Sequence, residues 1–367
     1  MNRARWLTKA AIWVLFPLSL IYAGQQDLPQ YLERLEIHYI NVEQGECNLV
    51  LGPNGTAIFY DAGTKKTGAL DAIVEGVSEY LQRLGINDRI DYLIVSHRDD
   101  DHYNMIPRIL QKGYLFDNYF DNGSSKKYKG MSGIAEKFVE IQVGTEIDLG
   151  NGAKAICVAE NGRLINNKLV SGARKNENDR SVSLIIKYGK FDYILTGDLG
   201  GGTEKCTNRS TNQVDVETPL VTAIMPGGDH PILSEYGVEV AHVGHHGSES
   251  STNSYFMNRL SPSVACIAVG DGQGKNFKLP RKSVVNNVLH GGADCVNTEY
   301  ALVLQTEEGK PKGKKTSIEG YCVGDIIIST DGKTSYTIDA TERVFQGPKE
   351  KKKAGIPKVY KFDEDRY

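Results

Sequence analysis

Three apolar runs in this 367-residue chain end in histidine or aspartate. "DYLIVSHRDDDH" closes on His97, Asp99, Asp100, Asp101 and His102, "FDYILTGD" on Asp198, and "VEVAHVGHHGS" on His245 and His246. Short apolar runs rich in β-branched and aromatic residues read as buried strands. Loops at strand ends aim side chains into a common space, so the pattern asks for a sheet-based fold whose strand ends converge. Three neighbouring acids repel one another and add nothing to packing. A solvated turn explains "RDDD" alone, but not the return of the same residue types after two further strands. A divalent cation explains it, because imidazole and carboxylate ligate first-row metals and the cation cancels the repulsion.

The remaining pattern fits an α/β domain. "LEIHYINV" reads as a strand, and "CNLVLGPNGTAIFYDAG" as a hairpin around Pro-Asn-Gly. A helix is expected over about residues 69–84, where Ile73, Val77, Tyr80 and Leu81 share a face. "NMIPRILQ" opens another. "SVSLIIKYGKFDYILTGD" is a second hairpin, "SVACIAVG" a strand, and "PRKSVVNNVLH" a helix with Pro280 near its start. No repeat of solenoid period is present. A net charge of -3 supplies no overall attraction to polyanions, so any such binding must use local basic patches. None of the six cysteines has zinc-knuckle spacing, and Cys47 and Cys266 sit in apolar runs as small core residues. Disulfide pairing is not readable from spacing. Ser248 lacks the strained elbow of a nucleophilic serine.

The ends differ from the middle. Arg3, Arg5 and Lys9 precede an apolar run from Ala10 to Ala23, followed by Gly24. That order matches a secretory signal over residues 1–24, and the run falls short of the ~20 apolar residues of a bilayer span. An uncleaved anchor is the alternative. Residues 35–342 form the expected domain, and 343–367 a charged, mobile tail. The mature chain is expected to be secreted or periplasmic, with no transmembrane segment.

"SHRDDDH" resembles the HxDxDH variant of the metallo-β-lactamase signature found in the hydrolase domain of ComEC competence proteins and their free-standing relatives. "INVEQGECNLV…FYDAG", "FDNG", "NDRSVSLII", "LTGDLGGG", "VETP", "VGHHGS" and "VGDIIISTDG" resemble the family's other blocks in order, over about residues 36–340. The resemblance implies a four-layer αββα sandwich with two divalent metal ions, Zn2+ or Mn2+, at one edge between its sheets. His97 and Asp99 would then hold one ion, and Asp101 and His102 the other. Asp198 would bridge them, and His245 would complete the second site while His246 faces substrate. Asp101 and His246 are thus the implied catalytic pair. Asp61 either orients a ligand histidine or belongs to a plain Asp-Ala-Gly turn.

The sequence departs from the wider fold in two places. No histidine lies between His102 and Asp198, where "NENDRS" stands, a gap that ComEC-like relatives share; it leaves the first site weak or filled only with substrate. "FKLP" puts Leu279 where relatives carry the histidine of a GHP motif. Lys275, Lys278 and Arg281 beside it are candidate substrate cations, or a solvated helix start. The glycines of "GDLGGG" are either a phosphate cradle or a flexible turn. The implied function is an exported hydrolase that cleaves phosphodiesters of nucleic acid or nucleotides through a metal-bound hydroxide. DNA is a candidate substrate, and no stable protein partner is implied. A lactam, lactone or thioester hydrolase, and a non-catalytic binding module on a decayed site, are the alternatives.

Overall fold

Strands buried along their whole length need cover on both faces, and this sets the number of layers. The computed structural model describes residues 33–207, 211–270, 273, 277–292, 295–296, 301–309, 320–340 and 359–361. Strands β1 (Leu35–Tyr39), β2 (Gly45–Leu51), β3 (Ala57–Thr64), β4 (Arg89–Ile94), β5 (Leu115–Asp121) and β6 (Val139–Glu140) lie side by side in that order. Every residue of β2 and β3 is buried. Helices α1 (Leu70–Arg83), α2 (Asp100–Tyr103) and α3 (Ile106–Gln111) follow strands of this sheet. Val74, Val77 and Leu81 of α1, with Ile106 and Ile109 of α3, pack on Leu49, Phe59 and Leu93 and so cover one face.

The other face is covered by a second sheet. It contains β7 (Glu146–Gly150), β8 (Ala153–Glu160), β9 (Arg163–Leu164), β10 (Ser183–Tyr188), β11 (Phe191–Leu195), β12 (Val240–His242), β13 (Val264–Ile267), β14 (Leu302–Gln305) and β15 (Tyr321–Cys322). Ile37, Val50, Ile58 and Ile94 of the first sheet meet Leu184, Ile186, Tyr193, Val240 and Cys266 of the second in one apolar layer. On its outer face, α4 (Glu217–Ile224) and α5 (Ser254–Leu260) place Leu220, Ile224, Phe256 and Leu260 on Ile185, Ile194, Ala241 and Ala265. Strands β16 (Ile326–Thr330) and β17 (Ser335–Ala340) return to the first sheet beside β1. The layers run helix, sheet, sheet, helix: the αββα sandwich that the resemblance implied.

Local chemistry explains the elements. The β2–β3 turn closes through Gly55 at φ +86°, and the β10–β11 turn through Gly189 at φ +58°. Strands β3, β4 and β5 are mutually parallel, as are β11 to β14, so their carboxyl ends share an edge within each sheet. Two findings differ from the sequence reading, on the helix after Pro280 and on the tail, and a third, a disulfide, supplies a pairing that it left open. The expected helix after Pro280 is a π-helix, Val284–Leu289, which buries Val284, Val285, Val288 and Leu289. Crowded β-branched residues weaken a regular helix, and the burial of four apolar side chains outweighs that cost. Cys206 and Cys295 form a disulfide, with Cα atoms 5.7 Å apart, across 89 residues of sequence. Within the tail, β18 (Val359–Lys361) pairs antiparallel with β17, so this part is an edge strand rather than free chain. The rest of the tail and the leader, residues 1–24, lie outside the described residues. Cys47 and Cys266 are buried free thiols in the core. Among the described residues, no helix is long and apolar enough to cross a membrane.

Candidate metal centre

The chain leaves β4 at Ile94 and runs through Ser96 and His97 to Asp99, the residue before α2. Asp101 and His102 lie on α2 and are buried. Gly63 of β3 makes this possible: a Cβ there would stand 2.2 Å from the Asp101 carbonyl carbon, so only glycine lets α2 approach the strand. Asp61 sits in a β-bulge, skipped where Cys47 pairs Ala62 and Asn48 pairs Tyr60, with φ +60°. A bulge re-aims a side chain. Here it turns the Asp61 carboxylate away from the sheet surface toward Ser96 and His102.

The hydrogen bonds set the histidine tautomers. Asp61 Oδ2 accepts from His102 Nδ1 at 2.7 Å and from Ser96 Oγ at 2.6 Å. Ser96 has one hydroxyl proton. With that proton donated to Asp61, its oxygen accepts from His97 Nδ1 at 3.0 Å. Ala268 O accepts from His246 Nδ1 at 2.8 Å. In all three rings, Nδ1 is the donor, and Nε2 is the nitrogen turned away from these partners. Those three Nε2 atoms and Asp198 Oδ1 are buried without a hydrogen-bond partner. Each such atom costs roughly 1–3 kcal/mol when left unsatisfied.

Asp198, just past β11, is the hub. Its Oδ1 is 3.4 Å from His102 Nε2, and its Oδ2 lies 3.7 Å from His97 Nε2 and 3.4 Å from His245 Nε2. On the other side, Asp101 Oδ2 is 3.4 Å from His246 Nε2. Two donor sets result, His97/His102/Asp198 and Asp101/His102/His246, each with its ligand atoms within 4.8 Å of one another. Converging imidazole Nε2 atoms, carboxylates and unsatisfied buried atoms fit a divalent metal, so the residues present suit the group that the resemblance implied. Burial opposes ionisation of Asp198, yet His245, His102 and His97 hold its carboxyl well below the usual range. Burial would likewise lower the His102 pKa, but Asp198 and Asp61 hold it well above the ordinary histidine value. Burial and the His102 charge lower His97.

The two adjacent histidines exchange their expected places. His246, not His245, stands with Asp101 and His102. His245 stands on the His97 side of Asp198, with its Nδ1 2.9 Å from Ser250 Oγ. Both residues have left-handed backbones, at φ +53° and +54°, and these two successive turns send the rings to opposite sides of Asp198. Order along the strand does not contain that information. Asn178, from the interval lacking the wider fold's histidine, places Nδ2 3.4 Å from Asp198 Oδ2.

The remaining expected residues divide. Asp99 lies 3.9 Å from His97 Nε2 and pairs with Lys126. Lys278 is half-buried, and Arg281 is largely buried with Nε 3.9 Å from Glu249. Lys275 lies outside the described residues. Gly201 N donates to Ser250 O, and a Cβ on Gly200 would meet Asp179 Oδ1 at 2.1 Å, so this glycine run serves close packing. Sequence reading missed Ser96, Lys65, which donates to Asp101 Oδ1 at 2.7 Å, and Glu46, buried 3.3 Å from His242 and 3.8 Å from His246. The apolar context of a lone Glu46 was the available signal.

Leu279 is also misplaced by analogy. Its side chain is buried in the apolar cluster between the second sheet and its helices, so a histidine there would enter the core and not the active edge. Leu279→His is expected to destabilise the protein by about 2–4 kcal/mol, from lost apolar burial plus a buried imidazole. Denaturant melts would show it, and an unchanged midpoint with raised diesterase turnover would place the side chain at the active edge after all.

Fold and centre together define the class: an αββα sandwich with a histidine–aspartate centre suited to a metal. No protein-family profile matches the chain. It is 26% identical over 274 residues to Recombination protein 2 of Haemophilus influenzae, covering 72% of this chain and 27% of that protein. It is 24% identical over 264 residues to Competence protein ComA of Neisseria gonorrhoeae, covering 70% and 30%. The chain thus spans less than a third of either relative. Among solved structures, it is similar to CmlA, a diiron β-hydroxylase from Streptomyces venezuelae, at 13% identity and a TM-score of 0.40, covering 73% of this chain and 53% of that one.

Proposed function

We propose that the chain is a metal-dependent hydrolase of phosphodiesters. The carrying observation is the shared orientation of His97, His102 and His246, each held through Nδ1 with a buried, unpartnered Nε2 on the side of Asp198 and Asp101. In this reading His97, Asp99 and Asp198 would hold one divalent ion, and Asp101, His102 and His246 would hold the other. A bound pair of ions supplies an activated water and offsets charge developing on phosphoryl oxygen. The protein's own contribution is orientation. Asp61 and Ser96 lock His102 and His97, and the Ala268 carbonyl locks His246. Lys65 offers an ammonium group at the mouth of the site, 2.7 Å from Asp101 Oδ1. The competence and recombination names of the relatives support a nucleic-acid context and favour phosphodiesters over lactams.

Purified protein should hold one to two equivalents of zinc or manganese by elemental analysis, and chelation should abolish cleavage of bis-p-nitrophenyl phosphate. Uptake should weaken as pH falls, because a proton on His102 Nε2 competes with the metal and Asp198 and Asp61 hold that proton to an unusually high pH. Full activity in metal-free protein, or turnover of nitrocefin but of no diester, would overturn the reading.

We also propose export. The basic-apolar-small leader supports it, and the Cys206–Cys295 disulfide fits an oxidising compartment. Residues 1–30 fused to a reporter should carry it out of the cytoplasm. A reporter that stays inside the cell would refute this.

A further inference from the structure

Resting on the phosphodiester reading, we propose that the loop 122–130 is a docking surface for the sugar–phosphate backbone of a nucleic-acid strand extending from the metal centre. The segment "NGSSKKYKG" carries Lys126, Lys127 and Lys129, all exposed, and no acid. It follows β5 and lies directly against the acidic turn. Lys126 pairs with Asp99, Lys129 Nζ is 3.5 Å from Asp100 Oδ2, and the Lys129 backbone N–H donates to Tyr103 Oη of α2 at 2.9 Å.

The loop is also held in shape from beneath. Arg98 pairs with Asp121 at 2.7 Å and donates to the carbonyls of Ser124 and Lys126. Tyr128 Oη donates to Asp121 Oδ2 at 2.7 Å, and its ring packs edge-on against Tyr103, with centroids 4.7 Å apart, beneath the Arg98 guanidinium. A preformed loop spends little ordering entropy on binding.

Charge explains why this surface would act with a loaded centre. Lys126 and Lys129 now face Asp99 and Asp100. With a cation bound, Asp99 would be engaged by it, and the Lys126 ammonium would be available to a phosphate. The edge then carries an excess of positive charge, which the whole molecule at -3 does not. A mononucleotide brings its phosphate to the metals alone. Three further ammonium groups beyond the acids match additional phosphates of a polymer. Tyr128 is packed inward and offers no face for base stacking, so this contact reads phosphates without regard to sequence. The alternative cation, Arg281, is largely buried beside Glu249 and serves a strand less well.

The test is fluorescence anisotropy of metal-loaded, full-length protein with a labelled phosphorothioate oligodeoxynucleotide that resists cleavage. The variant Lys126→Ala/Lys127→Ala/Lys129→Ala should weaken binding at least about tenfold and lower the salt slope by about 2, at ~0.7 per phosphate contact on a single strand. A charge-matched control, Lys112→Ala/Lys154→Ala/Lys168→Ala, removes surface lysines, Lys154 half-buried, that pair with Glu75, Glu146 and Asp229 and should change affinity less than about twofold. Equal losses in both variants, or a loop variant that binds like the parent, would overturn the proposal. Hydrolysis of bis-p-nitrophenyl phosphate by the parent protein reports separately on the hydrolase reading. Loop-dependent binding by a chain that cleaves no diester would support the surface and overturn that reading.

Discussion

Asp198→Ala should lower kcat/KM for bis-p-nitrophenyl phosphate by on the order of 10³-fold, the equivalent of several kcal/mol of charge stabilisation. Among the described residues, no other carboxylate stands within 3.7 Å of three imidazole nitrogens, as Asp198 does of those of His97, His102 and His245. It completes one donor set with His97 and His102, and His102 joins that set to Asp101 and His246. Without it, two of the unsatisfied Nε2 atoms lose their nearest negative charge, and elemental analysis should show loss of bound metal. Asp101→Ala should act in the same direction, since it removes the acid that faces both His246 Nε2 and Lys65 Nζ. Thermal melts in chelator separate this from unfolding. Near-normal turnover in both variants, with metal retained, would show that the centre lies elsewhere.

The second large effect is expected at Asp61, which touches the site only through its neighbours. Asp61→Asn should weaken metal binding 10–100-fold, the usual range for groups that orient ligand histidines. Asparagine is the informative replacement because it tolerates the left-handed backbone at φ +60°, whereas alanine would add strain of its own. The carboxylate accepts from Ser96 N, Ser96 Oγ and His102 Nδ1. An amide keeps at most part of that set, so both the His102 tautomer and the Ser96 hydroxyl direction, and through it His97, lose definition. Isothermal titration with zinc would measure the change. An affinity within about twofold of the parent would reduce Asp61 to a turn residue.

Much of the architecture was legible because it follows from local pattern. The hairpins around Gly55 and Gly189, the amphipathic helix α1 and the strands β4, β11, β12 and β13 obey periodicity and turn chemistry. The identity of the candidate ligands was legible for a different reason. Clustered acids and histidines after apolar strands are costly unless a cation gathers them. The π-helix and the Cys206–Cys295 bridge were not legible, because they depend on which apolar surface or which distant segment lies opposite.

The order of ligands along the chain is likewise a matter of sequence, but their division between two sets was decided by tertiary structure. His245 and His246 are neighbours with the same chemistry, and only their paired left-handed backbones send one ring toward Ser250 and the other toward Asp101. Lys65 and Lys126 meet the acids from separate loops, an encounter between residues 36 and 27 positions apart that no local pattern encodes. Leu279 aligned with a histidine of the resembling proteins yet points into the core. Alignment fixes a position along the chain, while the direction of a side chain is set by the backbone dihedrals and packing around it. The sequence carried the residue types of a candidate metal centre and, through its resemblance, the layers; the tertiary structure determined which donors face one another, because that depends on the bulge at Asp61, the close approach at Gly63 and the turn at His245–His246.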